Sequence, residues 1–478
     1  MEFTISAMIE LFILVSDLVF FLILLHAEKK NPSKIVVWAL VFLLLPLLGF
    51  ILYLFIGQTF YSRRTFRVKA LKDNEFKEMI DYDRTVADRE EVPEYRRIAK
   101  TMQNFGSIGY TVNNTVRLFT LGQDKFDSLY ADLRAAKKFI HLEYYIIRDD
   151  ELGNELMDIL TEKVKAGVEV KLLTDAFGVG KGPKKAIKAY RAAGGQFALF
   201  HKVSTLLLSP KKNNRNHRKL AVIDGEIAYC GGFNVGDEYL GKGPLGFWRD
   251  TAVRIVGAGV VAIHLRFEMD WEYASKKPAK NLNELYADVD IDTSGDAKIV
   301  AVSGGPDVAE FNPVRMEYLT LINNAKKSVY LHSPYFIPDN SLKDALSLAA
   351  ARGVDVKVII PDKPDHMFVY WNNISSAYDV MRNGVKVYMY NRGFVHSKTM
   401  VVDDEFCSVG SANFDDRSLV LNFETNMLVM SKDLGKQMTD AFNEDLGYCT
   451  EYKKEYFEKL GPVKSLRVVI SRLFVNLS

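Results

Sequence analysis

Two short stretches of the chain place a histidine and a lysine where both could act on a phosphate ester. His217 and Lys219 stand two residues apart, and His396 and Lys398 repeat that spacing. Side chains two apart on an extended segment project from the same face. An imidazole can serve as a nucleophile or a general acid, and an ammonium group can stabilise the charge that builds up on phosphoryl oxygens. The two pairs therefore indicate transfer chemistry at a phosphodiester.

Each pair belongs to a longer repeat. Seven residues after each histidine comes an aspartate, and 17 residues after it comes an asparagine. These residues are Asp224 and Asn234 in the first copy, and Asp403 and Asn413 in the second. One copy would be weak evidence, but two copies with the same downstream spacing are a strong signal.

The repeated residues predict a site with divided roles. We expect the catalytic set to comprise both histidines, both lysines, Asp224 and Asp403. The two aspartates lie across a strand and a turn from their histidines, so they are expected to anchor loops rather than touch substrate. The amides of Asn234 and Asn413 would help the lysines to bind the phosphate oxygens. No metal or other cofactor is predicted, because two lysines would repel a cation and no carboxylate cluster surrounds the histidines.

A histidine nucleophile also needs an acceptor that fixes its tautomer. Asp250 lies 33 residues after His217, and Glu424 lies 28 residues after His396. Each carboxylate stands at the start of a later apolar strand. We therefore expect Asp250 and Glu424 to orient the histidines, each within its own half of the chain.

The repeated motif resembles the phospholipase D superfamily, and its flanks resemble bacterial cardiolipin synthases. The matching stretches are Asn216-His217-Arg218-Lys219, Gly231-Gly232-Phe233-Asn234, Trp248-Arg249-Asp250, Gly410-Ser411-Ala412-Asn413-Phe414-Asp415 and Asn422-Phe423-Glu424. The resemblance implies that phosphatidylglycerol gives a phosphatidyl-histidine and glycerol, and that a second phosphatidylglycerol then forms cardiolipin. It also implies His217 as the nucleophile and His396 as the acid and base, roles that the near-symmetric sequence does not itself distinguish.

Three other functions are weighed against this one. A phospholipase D, or another phosphatidyltransferase, would use water or a different alcohol with the same residues. A nuclease should carry a basic groove, and a net charge of only +2 gives no such field. A membrane scaffold with degenerate motifs is disfavoured because both motifs are complete. No nucleic-acid partner is expected, and the choice between monomer and homodimer stays open.

The elements that position these residues predict an α/β fold. In each half, helices with apolar residues at i, i+3 and i+4 precede a glycine and then a β-branched run. We expect two pseudo-symmetric halves, each a mostly parallel mixed sheet flanked by helices, over residues 113–288 and 289–478. A basic connecting segment, residues 61–112, would follow a membrane helical hairpin, residues 1–60. The two halves should bring their histidines to a shared seam.

Two apolar stretches predict the hairpin. Ile35 to Ile56 is 22 residues without a charge, and as one helix it would be about 33 Å long, enough to cross a bilayer. Ile5 to Leu25 is interrupted by Glu10 and Asp17. A spanning helix packed on its neighbour and an interfacial helix therefore both stay open, while a signal peptide is disfavoured because Glu2 is the only early charge. A basic stretch from Arg63 to Lys72 follows the second segment, and basic flanks stay cytoplasmic, although the short link between the segments also carries three lysines.

Further features bear on location. Three cysteines, few and odd in number, fit a reducing compartment. We expect a multi-pass protein of the bacterial cytoplasmic membrane, with its catalytic halves facing the cytoplasm and its basic segment against anionic lipid. Residues Lys464 to Leu477 predict a basic amphipathic helix, which would pack on the domain or lie on the membrane surface.

Overall fold

The computed structural model describes residues 2–27, 32–56, 59–79, 85–201, 213–308 and 311–477. Its helices are α1 (Glu2–Ala27), α2 (Pro32–Leu44), α3 (Leu48–Ile56), α4 (Thr59–Met79), α5 (Pro93–Asn104), α6 (Gly122–Ala135), α7 (Glu151–Lys165), α8 (Lys184–Ala192), α9 (Gly259–Ser275), α10 (Leu282–Leu285), α11 (Pro313–Asn324), α12 (Asn340–Ala351), α13 (Met367–Met381), α14 (Lys432–Leu446), α15 (Lys454–Glu458) and α16 (Pro462–Leu477). The strands of the first half are β1 (Ile108–Phe119), β2 (Phe139–Tyr144), β3 (Glu169–Thr174), β4 (Gln196–Leu199), β5 (Leu220–Ile223), β6 (Ile227–Gly231), β7 (Phe247–Arg249) and β8 (Ala252–Val256). Those of the second half are β9 (Ala297–Gly304), β10 (Ser328–His332), β11 (Phe336–Ile337), β12 (Asp355–Pro361), β13 (Lys386–Tyr390), β14 (Gly393–Val395), β15 (Thr399–Val402), β16 (Phe406–Gly410), β17 (Phe414–Asp415), β18 (Glu424–Met430) and β19 (Cys449–Glu451).

One 15-stranded sheet joins the two halves. Its order is β19-β13-β12-β10-β15-β16-β18-β9-β1-β8-β6-β5-β2-β3-β4. The antiparallel pair β9 and β1 lies at the join. Outward from that pair six strands of each half follow the same order, which gives the predicted pseudo-two-fold arrangement, and the second half adds β19 at its edge. Helices α6 and α7 pack on the first half, and α11 and α12 pack on the second.

The prediction that each sheet would be mostly parallel is wrong. Within the described residues, four strand pairs of the large sheet are parallel and ten are antiparallel. The strands that follow the two motifs return as hairpins, β5 with β6 and β15 with β16. A hairpin needs only a tight turn, whereas a parallel neighbour needs a crossover helix. The helical periodicity correctly located the crossovers, but it carried no information on these hairpins.

The predicted single helix from Ile35 to Ile56 is also wrong, because the chain breaks it at Pro46. Helix α2 ends at Leu44 and α3 begins at Leu48, and Leu47 between them has a left-handed φ of 60°. Proline lacks a backbone N–H and its ring clashes with the preceding turn, so it ends or kinks a helix. The first apolar stretch forms α1, as expected. Within the described residues, no helix combines the length and the apolar character needed to cross a membrane.

The predicted connecting segment is largely helical. It holds most of α4, all of α5 and the start of β1. Tyr95, Ile98 and Met102 of α5 are buried in the core of the second half. In α4, the ring of Phe66 lies 5.0 Å from that of Phe423, the residue before Glu424. The side chains of Arg63 and Arg64, which belong to the predicted basic flank, lie outside the described residues.

The carboxy-terminal helix α16 packs on the second half. Arg472 donates to Asp379 of α13 at 2.8 Å, and the carbonyl of Ser471 accepts from Asn372 at 3.2 Å. The opposite side of α16 is exposed and apolar, with Val463, Leu466 and Val469 each more than half exposed. Packing on the domain, one of the two alternatives that the sequence left open, is therefore what the structure has.

Candidate active site

His217 stands just before β5 and is held by a segment of the other half. Asn216 forms a parallel bridge with Phe423, and the backbone N–H of His217 donates to the carbonyl of Phe423 at 2.9 Å. The next residue in that segment is Glu424, whose Oε2 atom lies 3.1 Å from Nδ1 of His217. The carbonyl of Ser411 also lies 3.1 Å from this nitrogen. The ring of His217 is thus fixed through Nδ1, which leaves Nε2 as its reacting atom.

His396 is held in the same way by the first half. It follows β14, which pairs in parallel with β7, and its backbone N–H donates to the carbonyl of Arg249 at 2.7 Å. The next residue is Asp250, whose Oδ2 atom lies 2.6 Å from Nδ1 of His396. The hydroxyl of Tyr239 lies 3.2 Å from the same nitrogen.

The two carboxylates therefore cross between the halves. We expected Asp250 to serve His217 and Glu424 to serve His396, and this pairing is wrong. Each histidine and each carboxylate sits at the end of a short extended segment, and those segments pair across the seam rather than within a half. The carboxylate spacing in the sequence correctly selected Asp250 and Glu424, but it could not identify their partners.

The two lysines point into the same buried site. Lys219 donates to the carbonyl of His217 at 2.5 Å, and Lys398 donates to that of His396. The Nζ atom of Lys398 also lies 2.8 Å from Nδ1 of His396. Burial lowers the pKa of Lys219 to about 7 and that of Lys398 to about 8. Each ammonium also lowers the pKa of the opposite histidine, so the four groups share one electrostatic environment.

The surroundings of the site favour neutral histidines and ionised carboxylates. Burial lowers the pKa of His217, and burial with Lys398 lowers that of His396 to about 3. Burial opposes ionisation of Asp250 and Glu424, but the nearby cationic groups outweigh it, and the pKa of each carboxyl falls below its ordinary value. A neutral imidazole beside an ionised carboxylate is the state that a nucleophile or a general base needs.

The motif aspartates lie away from the reacting atoms. Asp224 accepts from the backbone N–H groups of Lys137, Lys138 and Phe139 at 2.7–2.8 Å. Asp403 accepts from residues 326, 327 and 328 at 2.7–2.9 Å. Both aspartates have a left-handed φ, 55° and 56°. They anchor the entry into β2 and β10, as their spacing from the histidines indicated, and their place in the catalytic set stays a prediction.

The two asparagines occupy unequal surroundings. Asn234 accepts from the backbone N–H of Ile146 at 3.2 Å, and its amide nitrogen donates to the hydroxyl of Tyr239 at 3.2 Å. Asn413 is buried, and its Oδ1 atom has no hydrogen-bond partner within the described residues. Phosphate binding by either amide stays a prediction.

Aromatic rings that sequence reasoning missed, or left undecided, line the site. The ring of Tyr145 lies 5.0 Å from that of His217, and the ring of Trp248 lies 5.3 Å from that of His396. The sequence alone leaves open whether Tyr145 lines the site or packs in the core. Trp248 stands two residues before Asp250, a signal that could have found it. Tyr144 and Phe336, in contrast, are buried in the core.

Among the described residues, one group could in principle hold a metal, and it lies elsewhere. His141 on β2 and His264 on α9 approach within 2.8 Å, with Glu268 beside them. Lys171 donates to Glu268 at 2.6 Å. The ammonium group thus already occupies the carboxylate that a cation would need.

Known proteins are similar to this chain in sequence and in fold. The family profile described as "Cardiolipin synthase, PLD-like domain" matches residues 129–244 and 318–446, and that described as "Phospholipase_D-nuclease N-terminal" matches residues 12–58. A cardiolipin synthase from Staphylococcus aureus is 40% identical over 452 residues, which cover 93% of this chain and 91% of that protein. Cardiolipin synthase 1 from Staphylococcus epidermidis is 40% identical over 449 residues, which cover 92% of this chain and 91% of that protein. The crystal structure of a phosphatidylserine synthase from Haemophilus influenzae shares the fold, with a TM-score of 0.62 and 15% identity over 80% of this chain and 100% of that one.

Proposed function

Since the chain belongs to the cardiolipin synthase family of phospholipase D-like enzymes, we propose that it joins two phosphatidylglycerol molecules into cardiolipin and glycerol. The observation that carries this proposal is the crossed pairing of the site. Each half supplies a histidine and a lysine, and each half also supplies the carboxylate that orients the other half's histidine. One site with two oriented imidazoles suits a transfer in two steps.

In the first step, one histidine attacks through Nε2. A nitrogen–phosphorus bond forms and the bond between phosphorus and the glycerol oxygen breaks. The other histidine gives its proton to the leaving glycerol, and it does so as the imidazolium, the form that the negative charge of the bound phosphate favours. Lys219 and Lys398 bind the non-bridging oxygens and stabilise the charge of the transition state, with the amides of Asn234 and Asn413 in support.

In the second step, the same acid acts as a base. It takes the proton from a hydroxyl of the second phosphatidylglycerol, whose oxygen attacks phosphorus. The nitrogen–phosphorus bond breaks, and both histidines return to their starting state. The product is cardiolipin, and no metal or other cofactor takes part.

The proposed setting is the bacterial cytoplasmic membrane, with the amino-terminal helices in the bilayer and the catalytic halves facing the cytoplasm. Support comes from the apolar surface of α1 to α3, on which Leu43 and Leu44 are about three-quarters exposed. Exposed apolar surface of this kind is rare on a soluble monomer. The exposed apolar side of α16 adds to that surface.

The alternative is a phospholipase D, or a transferase that uses another alcohol, because the same residues would activate any hydroxyl. Product analysis separates the two functions. Purified protein is incubated with phosphatidylglycerol alone, and lipids and glycerol are quantified. Equal amounts of cardiolipin and glycerol are expected, and phosphatidic acid as the main product would establish water as the acceptor instead.

A further inference from the structure

The two-fold repeat breaks beside His217. The residue two before each histidine is Arg215 in the first half and Phe394 in the second, and the residue 21 after each is Glu238 and Arg417. Arg417 donates to the carbonyl of Asn213 at 3.1 Å, which brings it to the side of Arg215. Two cations therefore stand near Tyr145, whose ring contacts that of His217. The equivalent positions of the other half hold a phenyl ring and a carboxylate.

Arg215 is buried but incompletely paired. Its residue surface is only 8% exposed, and its Nη1 atom has no hydrogen-bond partner within the described part of the chain. The nearest carboxylate atom, Oδ1 of Asp175, is 3.7 Å away. The two oxygens of Asp175 already accept from the backbone N–H groups of Phe177 and Asn216. A buried donor that lacks a partner is costly, so Arg215 has capacity for an anionic ligand.

A series of neighbouring side chains runs from His217 through Tyr145 and Arg215 to an exposed ring. The ring of Tyr145 lies 5.0 Å from that of His217, and the charges of Asp175, Arg215 and Arg417 act on the Tyr145 hydroxyl. The guanidinium of Arg215 stacks 4.8 Å from the ring of Phe177, which is 68% exposed. The groups follow one another from the reacting imidazole, through the two arginines Arg215 and Arg417, to the exposed apolar ring. We call the two arginines the cationic recess.

We propose that Arg215 and Arg417 bind the phosphate of the acceptor phosphatidylglycerol. This inference rests on the proposed function. The donor lipid has one phosphate, which occupies the histidines and lysines. The acceptor brings a second phosphate, one glycerol away from its attacking hydroxyl. Water or free glycerol carries no such group, so a cationic recess beside the reacting centre selects a phospholipid acceptor.

The recess also assigns the two histidines. In an in-line displacement the acceptor lies on the side of the base, opposite the nucleophile. A recess beside His217 therefore makes His217 the acid and base, and His396 the residue that carries the phosphatidyl group. This assignment reverses the roles that the family resemblance implies.

The test compares two reactions that differ only in the acceptor. Cardiolipin formation uses a lipid acceptor, whereas exchange of labelled free glycerol into phosphatidylglycerol uses an acceptor without phosphate. Both are measured for Arg215→Gln and Arg417→Gln, with Arg134→Gln as the control, since Arg134 is an exposed arginine of α6 that pairs with Glu155. Loss of a charge-assisted hydrogen bond should lower cardiolipin formation about 10- to 100-fold. Glycerol exchange should match that of the control.

Two results would overturn the inference. One is a cardiolipin rate in both variants equal to that of Arg134→Gln. The other is a parallel loss of both reactions in Arg417→Gln, whose exposed side chain gives no reason for a folding defect. Failure of the proposed function has a different signature, because the unmodified enzyme would then exchange glycerol without forming cardiolipin.

Discussion

The carboxylate of Asp250 lies 2.6 Å from Nδ1 of His396, although 146 residues and the boundary between the two halves separate them. Glu424 makes the equivalent contact with His217. Neither half therefore holds a complete histidine and carboxylate pair, and the site forms only where the halves meet.

The crossed pairing predicts the effect of Asp250→Asn. An amide at this position would favour the wrong tautomer of His396, and a comparable change in a serine protease triad lowers turnover by about 10⁴-fold. We expect a loss of about 10³- to 10⁴-fold in the rate of cardiolipin formation. Asp132→Asn is the matched control, since Asp132 pairs with Arg254 away from both histidines. A loss no greater than that of the control would contradict the orienting role.

The buried lysines predict a basic limb in the pH profile. Burial lowers the pKa of Lys219 to about 7 and of Lys398 to about 8. As the pH rises through these values the ammonium groups are lost, so kcat/KM for phosphatidylglycerol should fall by about tenfold per pH unit for each group. An arginine stays protonated throughout this range. In Lys219→Arg the fall of kcat/KM near pH 7 should therefore disappear. A pH profile equal to that of the unmodified enzyme would contradict deprotonation of Lys219 as its cause.

Substitution of a motif aspartate should lower the stability of the fold and leave the catalytic rate of the folded protein unchanged. Asp224 binds three successive backbone N–H groups, so Asp224→Ala should cost roughly 2–4 kcal/mol in unfolding free energy. Asp224→Asn is the gentler comparison, because asparagine tolerates the left-handed φ. Thermal unfolding and the activity of the folded fraction are measured together. A large drop in kcat with an unchanged Tm would instead show that Asp224 takes part in the chemistry.

The sequence predicted the residues of the site better than it predicted the topology of the sheet. Side-chain chemistry at fixed spacing is a local property, so the histidines, lysines and orienting carboxylates could be identified without a structure. The pairing of Asp250 with His396 depends on the parallel match of β7 with β14, which no local pattern encodes. The same reason explains the missed antiparallel hairpins. Pro46, by contrast, is a local signal for the helix break.

The proposed topology can be tested through α16. Lys464 is exposed on that helix, and of the native cysteines Cys230 and Cys407 are buried. In a Cys449→Ser background, Lys464→Cys should react with a membrane-impermeant maleimide in inside-out vesicles and not in intact cells. Labelling in intact cells would place the catalytic halves on the outer face and contradict the proposal.

The central claim is that one histidine of the shared seam carries the phosphatidyl group. Its most direct test is rapid quenching of the enzyme with phosphatidylglycerol labelled at phosphorus, followed by mapping of the labelled peptide under alkaline conditions. We predict label on a single histidine, His396 if the acceptor recess is correctly assigned, and none on a variant that lacks both His217 and His396. Cardiolipin formation with no labelled protein at any time would contradict the account.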